Sequence, residues 1–195
     1  MDKELLKKWK ELFYSVIDDV TVSDELKKAV FQNNLGEWTK ILTDVVVETS
    51  KKMGWVSCAR NNKAEILPIS RNEYLTIDVV SFPKSNCEWK FPVAAIELEN
   101  SNKNDIIAYS LWKVICIRVR FRLVYCYRQN KKEVSSLIGY LNKNVLSCIP
   151  VAERQQIKGL LGIVIGCRDE INTFPYRYFR WWQYCENTGK FEQFI

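Results

Sequence analysis

The chain has 195 residues, of which 47% are apolar and 27% charged, with a formal net charge of +6. That size and balance suit one soluble domain, 1–195, with a core of its own, and exclude a low-complexity or disordered chain. Histidine is absent, which excludes His-based triads, HEXXH metalloproteases and histidine-base nucleases and leaves the chemistry to carboxylates, lysines, tyrosines and cysteines.

The elements follow in chain order. Apolar spacing predicts helices over 2–17 and 23–33, the second capped by Ser23, then a break at Asn33–Gly36 and a longer helix to about Met53 that Gly54 ends. The N-terminal stretch has no apolar signal core, so a cytoplasmic protein is expected. Strands are predicted over 55–60, 73–80 and 93–99, with a polar turn at 61–63 and a turn region at 82–90. A helix over 105–115, a strand over 118–127, a helix over 131–148 and an apolar strand over 160–167 follow. That strand is too short to span a bilayer. Aromatic segments 176–185 and 190–194 flank a hairpin turn at Glu186–Gly189. The coarse order, α-α-α-β-β-β-α-β-α-β-β, is that of a mixed sheet flanked by helices.

Seven cysteines are scattered without a CxxC pair, so they are expected as reduced thiols filling core space rather than as zinc ligands or disulfides.

The chemical signal lies in the acids. Side chains alternate along a strand, which puts Val93, Ala95, Glu97 and Glu99 on one face and Ala94, Ile96 and Leu98 on the other. Asp78 stands near the end of the preceding predicted strand, and antiparallel pairing brings it to the two glutamates only with a matching register. Three converging carboxylates repel one another and lose hydration, a cost that a hard divalent cation relieves. Glu48, on the row Ile41–Val45–Glu48–Lys52, is a fourth acid that this cluster would accommodate. Each acid also has a plain structural role open to it: Glu-X-Glu as a solvated strand end, Asp78 as a turn residue before Pro83, Glu48 as a helix-surface partner of Lys52.

An acid-bearing helix, a strand ending in Asp, a strand ending in Glu-X-Glu and a following helix together resemble the PD-(D/E)XK nuclease core. Glu48 matches the helical acid, Ile77-Asp78 the Pro-Asp position and Glu97-Leu98-Glu99 the (D/E)-X-K element. The resemblance covers residues 37–127. It implies a restriction endonuclease-like αβββαβ core, with N-terminal helices in 1–36 and a further helix and strands in 128–195. Two positions depart from the pattern: Ile77 replaces the proline and Glu99 the lysine. Lys113, on the next helix, is either a solvated lysine or a relocated substitute for the missing one. The resemblance further implies a metal-dependent endonuclease, with Asp78, Glu97 and the Leu98 carbonyl holding Mg²⁺ or Mn²⁺. Glu99 would be a general base or ligand of a second metal, the substrate nucleic acid, with DNA the expected polymer, and a homodimer a plausible assembly. The rival expectations are an inactive nuclease fold that binds nucleic acid or protein, and an unrelated interaction domain.

Arg118, Arg120 and Arg122 alternate with apolar residues and would line one face of a strand, either as a phosphate-tracking row or as a charged edge guard. The arginine–aromatic run 175–184 suits core packing or a dimer face better than base stacking. Lysines 3, 7, 8 and 10 are expected on a solvated helix face.

Overall fold

The computed structural model describes residues 2–60, 62, 64–69 and 74–195. Three helices open the chain: α1 (Asp2–Ile17), α2 (Val20–Phe31) and α3 (Leu35–Lys52). α1 buries Leu6, Trp9, Phe13 and Ile17, one helical stripe. Lys3, Lys7 and Lys8 face solvent, and Lys10 lies 5.4 Å from the Phe194 ring. α2 starts earlier than the apolar spacing indicates. Its cap is Asp19, whose carboxylate accepts from the Thr21 and Val22 N–H groups, and Ser23 lies inside the helix. Asn34 caps α3 by accepting from the Glu37 N–H, and Gly54, at φ +82°, follows its end.

The sheet strands are β1 (Trp55–Ala59), β2 (Val79–Pro83), β3 (Ala94–Leu98), β4 (Phe121–Arg128), β5 (Leu160–Cys167), β6 (Phe179–Cys185) and β7 (Lys190–Phe194). Helices α4 (Asn104–Cys116) and α5 (Lys131–Asn144) link β3 to β4 and β4 to β5, and the short α6 (Val151–Arg154) precedes β5. The hairpin after β5 supplies two strands where the coarse order counted one. The seven strands lie in sequence order, with β3, β4 and β5 parallel and all other neighbours antiparallel. The run α3-β1-β2-β3-α4-β4 is the αβββαβ order that the resemblance implies. Of the turn expected at 61–63, only Asn62 is described. It closes the end of β1 by bridging to Ala59.

Alternation along the strands splits the core into two layers. Ala94, Ile96, Leu98, Phe121, Leu123 and Tyr125 pack under α1–α3. Ala95, Val124 and Cys126 pack under α4 and α5 with Ile107, Leu111, Val114, Val134 and Leu137. The arginine–aromatic run divides between these layers: Phe179 and Trp181 belong to the first, Trp182 and Tyr184 to the second. Its large rings from Tyr178 onward are core, while Tyr176 and Arg177 stay exposed. The thiols follow the expectation only in part. None forms a disulfide, but Cys87, Cys116 and Cys148 are exposed while Cys58, Cys126 and Cys167 are buried. Among the described residues no helix is long and apolar enough to cross a membrane.

Candidate active site

The strand expected over 73–80 does not form as such. Glu73 lies outside the described residues, and Leu75 and Thr76 take φ of +60° and +55°, a left-handed turn that breaks extended pairing. Asp78 therefore stands one residue before β2 instead of at the end of a strand. That difference assembles the site. Because β2 and β3 are antiparallel, the start of β2 lies against the end of β3. The pairs Ser81–Ala94, Val80–Ala95 and Val79–Ile96, taken one step further, set Asp78 opposite Glu97. Asp78 Oδ2 accepts the Leu98 N–H at 2.8 Å, which fixes this register beyond the last ladder pair.

Glu97 points to the α4 side of the sheet, as alternation with Ala95 requires, and is only 3% exposed. There it meets Lys113, whose Nζ lies 2.8 Å from Glu97 Oε1. The same ammonium donates to the Thr76 carbonyl at 3.0 Å, so the left-handed turn is also the lysine's support. Lys113 is the one cation that meets Glu97 Oε1 among the described residues, which leaves that oxygen further lone-pair capacity. Burial pushes the Glu97 carboxyl up to about 7, with the Asp78 charge adding to the rise, Lys113 opposing it and Glu99 adding a smaller push. The alternative of a solvated helix lysine does not hold for Lys113, whose side chain is 20% exposed.

Glu99 is diverted from the pair. Its Oε1 accepts the Ser101 N–H at 2.8 Å and its Oε2 accepts the Ser110 hydroxyl at 3.1 Å, which ties it to the β3–α4 connection and to α4. The expected convergence of three carboxylates is thus replaced by a facing pair, Asp78 and Glu97, and a tethered third. Among the described residues no three Asp, Glu, Cys or His side chains form a ready metal cage. The physical reason is mutual repulsion: Lys113 neutralises one acid and two donors from the α4 side hold another. The pair still suits a hard cation, since Mg²⁺ is commonly held by one or two carboxylates with water, and Glu97 Oε1 is a buried acceptor with spare capacity.

Glu48 does not join the acids. It pairs with Lys51 at 3.3 Å with its side chain 44% exposed, and it is not among the charges that shift Glu97. The buried stripe of α3 runs through Trp38, Ile41, Leu42, Val45, Val46, Thr49 and Ser50. Glu48 lies seven residues, about two turns, beyond Ile41, at the margin of that stripe, where its carboxylate reaches solvent.

The arginine row is also corrected. β4 begins at Phe121, so Arg118 and Arg120 precede it and are exposed, while Arg122 is 4% exposed. The Arg122 guanidinium donates to the carbonyls of Val114, Ile117 and Lys158 at 2.8–3.2 Å, sealing the C-terminal end of α4. Its donors are committed to the fold. All three arginines lie at the Ala94–Phe121 end of the parallel pair, whereas the acids gather around its Leu98–Tyr125 end. Four residues of strand separate these ends, about 13 Å.

Three supports could not be picked out beforehand: the Thr76 carbonyl, Ser101 and Ser110. Only Ser110 left a sequence signal, as a hydroxyl within the stripe Ile107, Leu111 and Val114 that α4 buries.

No family model matches the chain, and no curated protein matches it. Among solved structures, NucC of Escherichia coli MS115-1 in its cAAA-bound form is similar over 94% of this chain and 81% of that one, at 13% identity and a TM-score of 0.49. The functional reading that follows stands on this chain's own residues.

Proposed function

We propose that this protein is a divalent-metal-dependent phosphodiester hydrolase acting on nucleic acid, with DNA the expected polymer and an endonuclease the expected type. The observation that supports the reading best is the buried Glu97 carboxylate, faced by Asp78 and met at 2.8 Å by Lys113. Two acids and a lysine on the end of one β-hairpin and the following helix are the charge set that the PD-(D/E)XK resemblance calls for. Here the lysine comes from α4 instead of the third position of the Glu-X-Glu.

Asp78, Glu97 and the Leu98 carbonyl would hold Mg²⁺ or Mn²⁺. Such an ion supplies Lewis-acid stabilisation of the phosphate and a more acidic bound water. The protein's own groups divide the remaining work. Lys113, fixed by Thr76, places a positive charge beside negative charge developing on a phosphate oxygen. Glu99, steadied by Ser101 and Ser110, is the carboxylate left to accept a proton from the attacking water. Leu98 keeps its carbonyl in position because its N–H is anchored on Asp78.

The test is cleavage of supercoiled plasmid and of single-stranded DNA with Mg²⁺ or Mn²⁺, by wild type, Asp78→Ala, Glu97→Ala and Lys113→Met. Cleavage by wild type that all three variants lose supports the hydrolase and its site. Equal cleavage by all four points to a contaminant and removes the site. Absence of cleavage by any of them moves the reading to a nuclease fold that binds nucleic acid or protein without cutting.

A further inference from the structure

The acid site has a neighbour on the same edge of the sheet. A polar cleft of about 520 Å³ opens beyond the C-terminal ends of β4 and β5, with Asn102, Asn104, Tyr127, Arg128, Glu133 and Arg168 among its walls. Arg128 is the last residue of β4, and Arg168 comes directly after β5. This is where open α/β sheets place ligands, outside the carboxyl ends of parallel strands.

The two guanidiniums differ in kind from Arg122 at the opposite edge. Arg122 spends its Nε and both terminal nitrogens on backbone carbonyls. Arg128 is as buried, at 5% exposure, yet makes two hydrogen bonds, to the Tyr127 carbonyl at 2.7 Å and to Asn104 Oδ1 at 2.6 Å. A guanidinium carries five N–H donors. Arg168 donates to Asn33 Oδ1 and the Val30 carbonyl, both at 2.8 Å, and lies over the Tyr127 ring at 5.8 Å. Every one of these acceptors is neutral, and among the described residues neither arginine has a carboxylate within ion-pair distance. Arg128 is thus a buried cation without an anion, a costly arrangement that a bound anion would offset. Among the described residues the one acid in the wall is Glu133, which is occupied in capping α5, accepting from the Gln129 N–H and from Asn130 Nδ2.

We propose that the Arg128–Arg168 cleft is a phosphate-binding subsite that takes a phosphate of the nucleic-acid strand adjoining the one at the acid site. The proposal rests on the nucleic-acid reading above. The placement favours a polymer over an isolated anion. Tyr125 of β4 pairs with Leu98 beside the acids, and Arg128 lies three residues further along the same strand, about 10 Å. Glu99 donates its backbone N–H to the Tyr125 carbonyl at 2.8 Å, and Asn102, close behind it in the chain, lines the cleft, so acid site and cleft adjoin along the strand exits. Two planar forks suit phosphate oxygens, which guanidinium binds in bidentate fashion.

The experiment measures binding of fluorescein-labelled single-stranded and duplex oligonucleotides by anisotropy across a salt series, in EDTA so that nothing is cut. Wild type is compared with Arg168→Gln, Arg128→Lys and the control pair Arg118→Gln/Arg120→Gln. Arg168→Gln is expected to weaken binding several-fold and to reduce the slope of log affinity against log salt by about one, the signature of one lost phosphate contact. Arg128→Lys is expected to weaken binding while keeping the charge, and the control pair to change little. The proposal is overturned if Arg168→Gln melts like wild type but binds with unchanged affinity and slope, if only the control pair loses affinity, or if wild type binds neither oligonucleotide. Should Arg128→Lys fail to fold, Arg168→Gln alone decides. Inorganic phosphate and AMP form the second arm. A melting shift with either that Arg168→Gln abolishes, without oligonucleotide binding, would assign the cleft to a free phosphate ligand and overturn the polymer assignment. A protein that binds through Arg168 yet never cleaves in metal would sink the hydrolase reading and leave the subsite standing.

Discussion

At the scale of single residues the site turns on the energetics of Glu97. Its carboxyl sits at about 7 in the folded protein, against about 4.3 in an unfolded chain. Between those values the folded state binds more protons than the unfolded one, so stability falls as pH rises through this window. The loss amounts to roughly 3–4 kcal/mol at full ionisation. Urea unfolding of wild type and Glu97→Gln from pH 4.5 to 8 is expected to show this decline in wild type alone, and parallel profiles would refute the raised carboxyl. A cation on Asp78 and Glu97 competes with the same proton. Stabilisation by Mn²⁺ is therefore expected to be large at pH 8 and nearly absent at pH 5.5, checked by melting with and without the metal. Lys113→Met removes the opposing charge, so it should extend the metal-free decline to higher pH besides abolishing cleavage.

At the scale of elements, local backbone chemistry decides where helices begin and where strands can approach. Asp19, not Ser23, holds the first N–H groups of α2. Asp19→Ala is expected to cost about 1 kcal/mol by chemical denaturation and Ser23→Ala much less. Two glycines make a second pair. Gly54 and Gly159 both have positive φ, +82° and +84°. A Cβ at Gly54 meets open space, whereas one at Gly159 would fall 2.5 Å from the Arg120 carbonyl oxygen. Gly54→Ala should therefore cost about 1–2 kcal/mol, and Gly159→Ala distinctly more, because it also pushes apart the entries to β4 and β5. Equal melting temperatures for the two variants would contradict this contact.

At the scale of the whole molecule, the N-terminal helices are bound to the sheet by buried polar and aromatic contacts. Trp9 of α1 donates its indole N–H to the Tyr125 hydroxyl of β4 at 2.9 Å across 116 residues of chain, and Trp181 donates likewise to Tyr14 at 3.0 Å. Phe13 stacks on Tyr125 and meets Phe179 and Trp181 edge-on. Rings of this kind bury roughly 150–250 Å² each, so α1 is part of the core rather than an appendage. Unfolding is expected to follow one transition, with coincident curves by far-UV circular dichroism and tryptophan fluorescence. Separate curves would show the helices in 1–36 to be an independent unit. Tyr125→Phe leaves a buried indole N–H without its acceptor and should cost about 1–3 kcal/mol.

The local part of this protein was legible in its residues. Periodicity placed the helices and most strands, and alternation in Val93–Glu99 put Glu97 on the face opposite Ile96 and Leu98. Side-chain direction along one strand is a property of that strand alone. What the residues could not settle was where separate elements meet. Asp78 faces Glu97 because two left-handed residues, Leu75 and Thr76, delay the start of β2, and no alternation pattern marks such a turn. Lys113 belongs to the site because the crossover lays α4 over Glu97, and Glu99 leaves the pair because Ser101 and Ser110 capture it. The arginines at 118–122 and at 128 and 168 look alike as isolated residues. Only the sheet decides that the first group stands at the strand entries and the second at the exits beside the acids, because strand order and register are set by packing across the whole chain.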